Sequence, residues 1–167
     1  GVPTNVLHFI PGWGEKVGRE LVGSPLTDLI LFTGSRPVGL EIINSAAVVK
    51  PGQRSIKRVV AELGGKNALI IDETADLDDA LAAAVTSAFG FAGQKCSALS
   101  RLIIVGSIYE QFLSRFIEAA KDLKVGKASE PGTNVSPVID EDSRRRIEMV
   151  IADSSKSATL AFRGTVP

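Results

Sequence analysis

The sequence has few of the residues that staple a fold or ligate a metal. Its 167 residues include one cysteine, one histidine, one tryptophan and one tyrosine, and aromatics make up 5%. A lone cysteine excludes an internal disulfide framework and any zinc site built from several thiolates. It suits a reducing compartment, cytoplasmic or, as the alternative, the mitochondrial matrix. The single histidine, His8, lies between Leu7 and Phe9 with nothing to pair with it as a ligand. It reads as a core or edge histidine, and no metal is expected. There is no excess of either charge: 19 Lys and Arg face 19 Asp and Glu, which removes the electrostatic footprint of a nucleic-acid binder. No apolar run reaches the roughly 18 residues of a membrane-spanning helix, and the first residues lack the basic and apolar regions of a secretory signal. The expectation is a soluble chain with neither nucleic acid nor membrane as partner. An initiator methionine is also missing, since the sequence opens at Gly1-Val2-Pro3 and closes at Thr165-Val166-Pro167, so a piece of something longer is expected. No repeat or low-complexity tract is present.

What is present points to α/β architecture. A chain of this length buries about 70% of its unfolded surface and needs no staple. Short β-branched runs alternate with stretches of helical period, the pattern of a largely parallel sheet. Strands are expected at Asn5 to Ile10, Leu29 to Thr33, Val59 to Leu63, Ala68 to Asp72, Leu102 to Val105 and Thr159 to Phe162. Leu77, Ala80, Leu81, Ala84, Val85, Ala88 and Phe89 recur as one helix face, with Asp76 as N-cap. Ser107 and Glu110 form a capping-box pattern ahead of a second stripe, Ile108 to Leu123. A third helix, Glu141 to Asp153, would turn Ile147, Val150 and Ile151 inward. It carries Arg144, Arg145 and Arg146, which read as a solvated face in preference to an anion site. Pro51-Gly52 and Glu130-Pro131-Gly132 read as turns.

Two glycine turns follow expected strands. Gly34-Ser35-Arg36-Pro37-Val38-Gly39 connects the strand at Leu29 to helical residues Leu40 to Ala47, and Pro11-Gly12-Trp13-Gly14 precedes a helix holding Val17 and Leu21. A strand, a glycine turn and a helix N-terminus suit a phosphate. The spacing departs from Gly-x-Gly-x-x-Gly, so an ordinary βα turn fits equally well. Trp13 would cover the adenine side of a nucleotide or simply pack the loop.

Further along, Cys96 follows the flexible stretch Gly90-Phe91-Ala92-Gly93 and neighbours Lys95. A nearby positive charge favours a thiolate nucleophile, yet a lone cysteine is more often a small buried hydrophobe. Glu62 ends an apolar strand, where a carboxylate is unusual unless paired or functional. Phe89 and Phe91 suit either a core or an apolar tunnel beside Cys96.

Phe32-Thr33-Gly34-Ser35-x-x-x-Gly39, then Glu62-Leu63-Gly64-Gly65-Lys66-Asn67, then Gly93-Gln94-Lys95-Cys96-Ser97-Ala98 resembles the aldehyde dehydrogenase superfamily in order and spacing. The likeness runs from Pro11-Gly12 to Ser136-Pro137-Val138-Ile139. Gly90 to Arg101, together with Ile71-Asp72-Glu73-Thr74-Ala75-Asp76, is most similar to its 1-pyrroline-5-carboxylate dehydrogenase branch. That branch oxidises glutamate semialdehyde to glutamate in proline catabolism.

The resemblance implies a partial aldehyde-dehydrogenase-like architecture: residues 1–65 as the later half of an NAD-binding Rossmann-type domain, and residues 66–167 as the first part of an α/β catalytic domain. It also implies NAD as cofactor and a small-molecule aldehyde as substrate. Cys96 would be the nucleophile and Glu62 the base. Gly34 and Ser35, following Phe32, would meet the cofactor phosphates, Gly12 and Val38 would border the adenosine, and Leu63 and Gly64 would lie near the nicotinamide. Ser97 would hold the substrate carboxylate, with Phe91 beside the substrate. An oxyanion-hole asparagine and ribose contacts typical of the family have no counterpart in these residues. A truncated fragment that folds or self-associates through exposed sheet edges, without turnover, is therefore the alternative.

Overall fold

The computed structural model describes residues 1–165, and its contacts divide the chain into two compact units, Gly1–Gly64 and the residues from Gly65 onward. The architecture is α/β with parallel strand pairs, as the alternation of periods predicts.

In the first unit, β1 (Leu29–Gly34) and β2 (Arg58–Leu63) pair in parallel, from Leu29 opposite Arg58 to Gly34 opposite Leu63. The crossover contains helix α2, Arg36–Ala47, while the shorter α1, Arg19–Gly23, follows a π turn at Gly14–Gly18. Helix α2 starts earlier than the expected Leu40. Pro37 stands in its first turn, where a fixed φ is already helical and a missing N–H costs nothing. Gly39 is buried, and a Cβ there would lie 2.5 Å from Leu63 Cδ2, so glycine lets the helix lie this close to β2 without displacing the Leu63 side chain. Lys57 is 6% exposed, and its Nζ donates to the Val22 carbonyl at 2.5 Å, tying the entry of β2 to α1.

The strand expected at Asn5 to Ile10 does not form. Its apolar side chains lie open, with Leu7 76% and Phe9 90% exposed. No described strand offers its backbone a ladder, and an extended segment without one stays irregular in water. His8 is therefore an exposed residue outside any strand, neither a core nor a strand-edge histidine.

In the second unit, β3 (Asn67–Ile71) and β4 (Leu99–Ile104) pair in parallel, with a register shift between Asn67 and Ala68. Helix α3, Leu77–Phe89, is capped as expected: Asp76 Oδ1 accepts from the amides of Asp78 at 2.9 Å and Asp79 at 3.2 Å. Helix α4, Tyr109–Lys121, places Phe112 at the centre of the core with Ile71 and Ala84. Burying one such phenyl ring stabilises by about 1.5–3 kcal/mol. Phe112 stacks on Phe116 at 6.4 Å, and Phe116 stacks on Phe89 at 5.9 Å, so an aromatic row runs from the core to the end of α3.

Three local expectations fail here. Ser107 does not complete a capping box, because its amide and hydroxyl both donate to Glu73 Oε1, at 2.9 and 3.3 Å. That carboxylate, distant in sequence, takes the place of Glu110. Thr159 to Phe162 form no strand, again with no described partner. Helix α5, Glu141–Ser154, forms as predicted, but Ile147 is 37% and Val150 58% exposed, so its apolar stripe is not turned inward in this chain. Its arginines do behave as a solvated face: Arg144 and Arg145 both bond to Glu141 of their own helix. The expected turns are present, with Gly52 at φ 82° and Gly132 at φ 80°.

Each strand pair has one covered and one open face. Ile30, Phe32, Val59 and Leu63 are half-buried beside α2, while Leu31 is 74% and Val60 52% exposed. Leu69, Ile71, Leu102 and Ile104 face the second core, while Ile70 is 65% and Ile103 45% exposed. No helix among the described residues is long and apolar enough to cross a membrane.

Candidate active site

In the first unit the βαβ turn gathers most of the residues expected to touch a cofactor. Phe32 and Gly34 end β1, Ser35 is the N-cap of α2, Val38 lies in its first turn, and Leu63 ends β2. Gly34 has no Cβ because the Phe32 ring occupies that space, and Phe32 also reaches the Gly39 position, where Leu63 packs. The two glycines thus serve helix–strand packing. The Ser35 side chain makes no cap hydrogen bond, which leaves first-turn amides of α2 to an outside acceptor. An exposed helix N-terminus of this kind suits a phosphate group. Gly12 instead packs against the Val17 side chain in the segment ahead of α1, and Trp13 beside it is 81% exposed. Gly64 is exposed at the end of the unit.

Glu62 lies on the open face of the strand pair, next to Thr33 in register and beyond Val60. Leu63, adjacent in sequence, takes the covered face. Period-two alternation therefore separates a carboxylate on the open face from a leucine that anchors the strand.

In the second unit, Cys96 is exposed, so it is not the small buried hydrophobe that a lone cysteine often is. The stretch before it, Gly90–Gly93, forms a tight turn. Phe91 and Ala92 adopt left-handed backbone angles, φ 59° and 53°, followed by Gly93 at φ 70°. A left-handed conformation costs roughly 1–2 kcal/mol per non-glycine residue, and such strain gathers at functional sites. Gly93 takes it freely, and a Cβ there would approach the Ala88 carbonyl to 3.1 Å. Phe91 projects outward at 78% exposed, so it is not core. Phe89 is the ring that packs inward. Ser97 is exposed next to Cys96.

Two further residues hold this loop, and sequence reasoning did not single them out. Asn67 Nδ2 donates to the carbonyls of Cys96 at 2.8 Å and Ala98 at 3.3 Å. Gln94 Nε2 donates to the Phe91 carbonyl at 3.3 Å, and Gln94 Oε1 accepts from the Ile139 amide at 3.1 Å. The available signal was Asn67 itself, a side-chain amide opening an otherwise apolar strand. Among the described residues, no group of three or more His, Cys, Asp or Glu is placed to hold a metal ion.

The parallel α/β fold agrees with comparison to known proteins. The aldehyde dehydrogenase family model matches residues 1–166, and the chain belongs to that family. It is 52% identical over 98% of its length to a 1-pyrroline-5-carboxylate dehydrogenase of Geobacillus kaustophilus, of which it covers 32%. The fold is similar to that of a proline utilization A from Bdellovibrio bacteriovorus inactivated by N-propargylglycine, with a TM-score of 0.97 at 48% identity, over 100% of this chain and 17% of that one. A 1-pyrroline-5-carboxylate dehydrogenase from Thermus with bound NAD gives a TM-score of 0.91 at 43% identity, over 98% of this chain and 32% of that one. The chain thus spans about a third of the length of the curated relatives it matches.

Proposed function

We propose that this chain carries the nucleophile and the base of an NAD-dependent aldehyde dehydrogenase that oxidises glutamate semialdehyde to glutamate in proline catabolism. The supporting observation is Cys96, exposed on a loop that a strained left-handed turn and two side-chain amides hold in place. The Cys96 thiolate adds to the aldehyde carbon, and the carbonyl electron pair moves to oxygen, giving a thiohemiacetal. The Cys96 amide donates to that oxygen. Gly34, Ser35 and Val38 would hold the cofactor through the N-terminus of α2, with Phe32, Gly12, Leu63 and Gly64 along its length. Bound there, NAD would supply the acceptor for the hydride that the thiohemiacetal loses in becoming a thioester. The Glu62 carboxylate then takes a proton from the water that attacks the thioester carbon, the C–S bond breaks, and carboxylate product and thiol are released. Ser97 and Phe91 contact the substrate. In this account residues 1–65 belong to the cofactor domain and residues from 66 onward to the catalytic domain. A free thiol nucleophile requires a reducing setting, here the cytoplasm.

A second account is a fragment that folds or self-associates without turnover. Leu31, Val60, Ile70 and Ile103, open on sheet faces that parallel strands usually have covered, favour it. NADH formation from glutamate semialdehyde separates the two. A signal that Cys96→Ala abolishes supports catalysis, and no Cys96-dependent signal leaves the non-catalytic account. Light scattering checks self-association, and a strictly monomeric chain contradicts it.

A further inference from the structure

We propose that Asn67 is a positioning residue for Cys96, fixing the backbone from which the thiol projects. The Asn67 carboxamide has two N–H groups, and the two carbonyls it meets, Cys96 at 2.8 Å and Ala98 at 3.3 Å, lie on either side of the residue following the thiol. Both contacts need a donor, so they set which way the amide faces. The Asn67 main chain joins in, its own carbonyl accepting from Ser100 Oγ at 3.3 Å. The strand is irregular at this point: Asn67 pairs with Leu99 but Ala68 with Arg101. The register shift falls directly after Asn67, whose side chain serves the Cys96 loop. Gly65 completes the arrangement, because a Cβ there would lie 3.1 Å from the Cys96 oxygen and 3.3 Å from the Asn67 amide atoms. The chain passes close over the Cys96 carbonyl, and Asn67 grips that carbonyl as it passes. Ala98 is 8% exposed and anchors the far end of the loop in the unit's interior. The carbonyl of Cys96 is thus fixed from β3, while its side chain stays exposed.

This inference rests on Cys96 being the nucleophile, but its test reads the position of the thiol and not turnover. Cys96 is the only cysteine in the chain, so a trifluoroethylthio label reports on that site alone by fluorine NMR. The full chain should give one narrow resonance. Asn67→Asp keeps the shape of the side chain and turns both donors into acceptors facing carbonyl oxygens. Asn67→Ala removes the donors. Each should split or broaden the resonance, with a roughly fivefold shift in the docked-to-released ratio per net hydrogen bond lost, while the melting temperature stays within a few degrees. Asn134→Ala, which removes the comparable bond to the Lys124 amide at 2.8 Å, should leave the label unchanged. If Asn67→Asp fails to fold by circular dichroism, Asn67→Ala and Gly65→Ala decide, since the latter crowds the same carbonyl with Asn67 intact. A folded Asn67→Asp with the wild-type resonance would overturn the proposal, as would unchanged resonances in both remaining variants. Loss of the nucleophile assignment would look different: NADH formation indifferent to Cys96→Ala, with the Asn67 effect on the label still present.

Discussion

Replacing Phe112 with alanine should cost about 3–5 kcal/mol, the range for truncating a fully buried aromatic. The ring is 0% exposed and packs among Ile71, Ala84 and the apolar side chains of α3, α4 and β4. Transfer of the lost ring atoms to water accounts for about 1.5–3 kcal/mol, and the cavity left among rigid neighbours supplies much of the remainder. Loss of the stack on Phe116, whose centroid lies 6.4 Å away, adds roughly 0.5–1.5 kcal/mol. At about 2–4 °C per kcal/mol for a chain of this size, the melting temperature should fall by roughly 6–20 °C. The same substitution at Phe9, 90% exposed, should stay within about 0.5 kcal/mol. The effect should also reach the Cys96 loop, because Phe116 passes the contact on to Phe89 at the end of α3. Amide hydrogen exchange at Gln94 and Ala98 should speed up in Phe112→Ala before global unfolding. Urea and thermal denaturation of the two variants, with exchange read by mass spectrometry, form the assay. Equal costs for Phe112→Ala and Phe9→Ala would refute the placement of the core. A large cost without faster exchange around Cys96 would refute the aromatic row as its support.

Other consequences are smaller. Asp76→Ala should cost about 1 kcal/mol in chemical denaturation through loss of the α3 cap, and Asp76→Asn should restore most of it. In α5, hydrogen bonds from Arg144 and then Arg145 lower the Glu141 carboxyl from 4.5 to about 2, and the hydroxyl and then the amide of Ser143 hold Asp140 below its usual value. Both carboxylates have depressed folded-state values, so their contribution is intact above the unfolded values of 4.5 for Glu141 and 3.8 for Asp140 and is lost as pH falls, for Glu141 toward 2. NMR titration should place the Glu141 midpoint near 2, with α5 fraying below it, and a midpoint at the free value would contradict the pairing.

Much of this architecture was legible because local pattern and tertiary outcome agree. Strands β1 to β4 come where β-branched runs predict them, and Leu77 to Phe89 form a helix whose apolar face is the one that packs. Three of the misreadings share one cause, dependence on a partner distant in sequence. Asn5 to Ile10 and Thr159 to Phe162 have strand-like residues, but strands exist only as pairs. Ser107 has the letters of a capping box, but Glu73 reaches it first. At the site, the motifs marked Cys96 and Glu62, while the left-handed turn at Phe91 and Ala92 left no trace in residue type, since neither is a residue that favours positive φ. Asn67 was visible only as a letter in a motif, because its role depends on a carbonyl brought close by the pairing of β3 with β4.

The central claim is a division of labour, in which Cys96 forms the thioester and Glu62 activates the water that clears it. Intact-mass spectrometry of Glu62→Gln after incubation with glutamate semialdehyde and NAD tests it most directly. The account predicts an acyl adduct that accumulates on Glu62→Gln and is absent from the Glu62→Gln, Cys96→Ala double variant. An adduct that persists without Cys96, or a Glu62→Gln variant that turns over as fast as the unsubstituted chain, would contradict it.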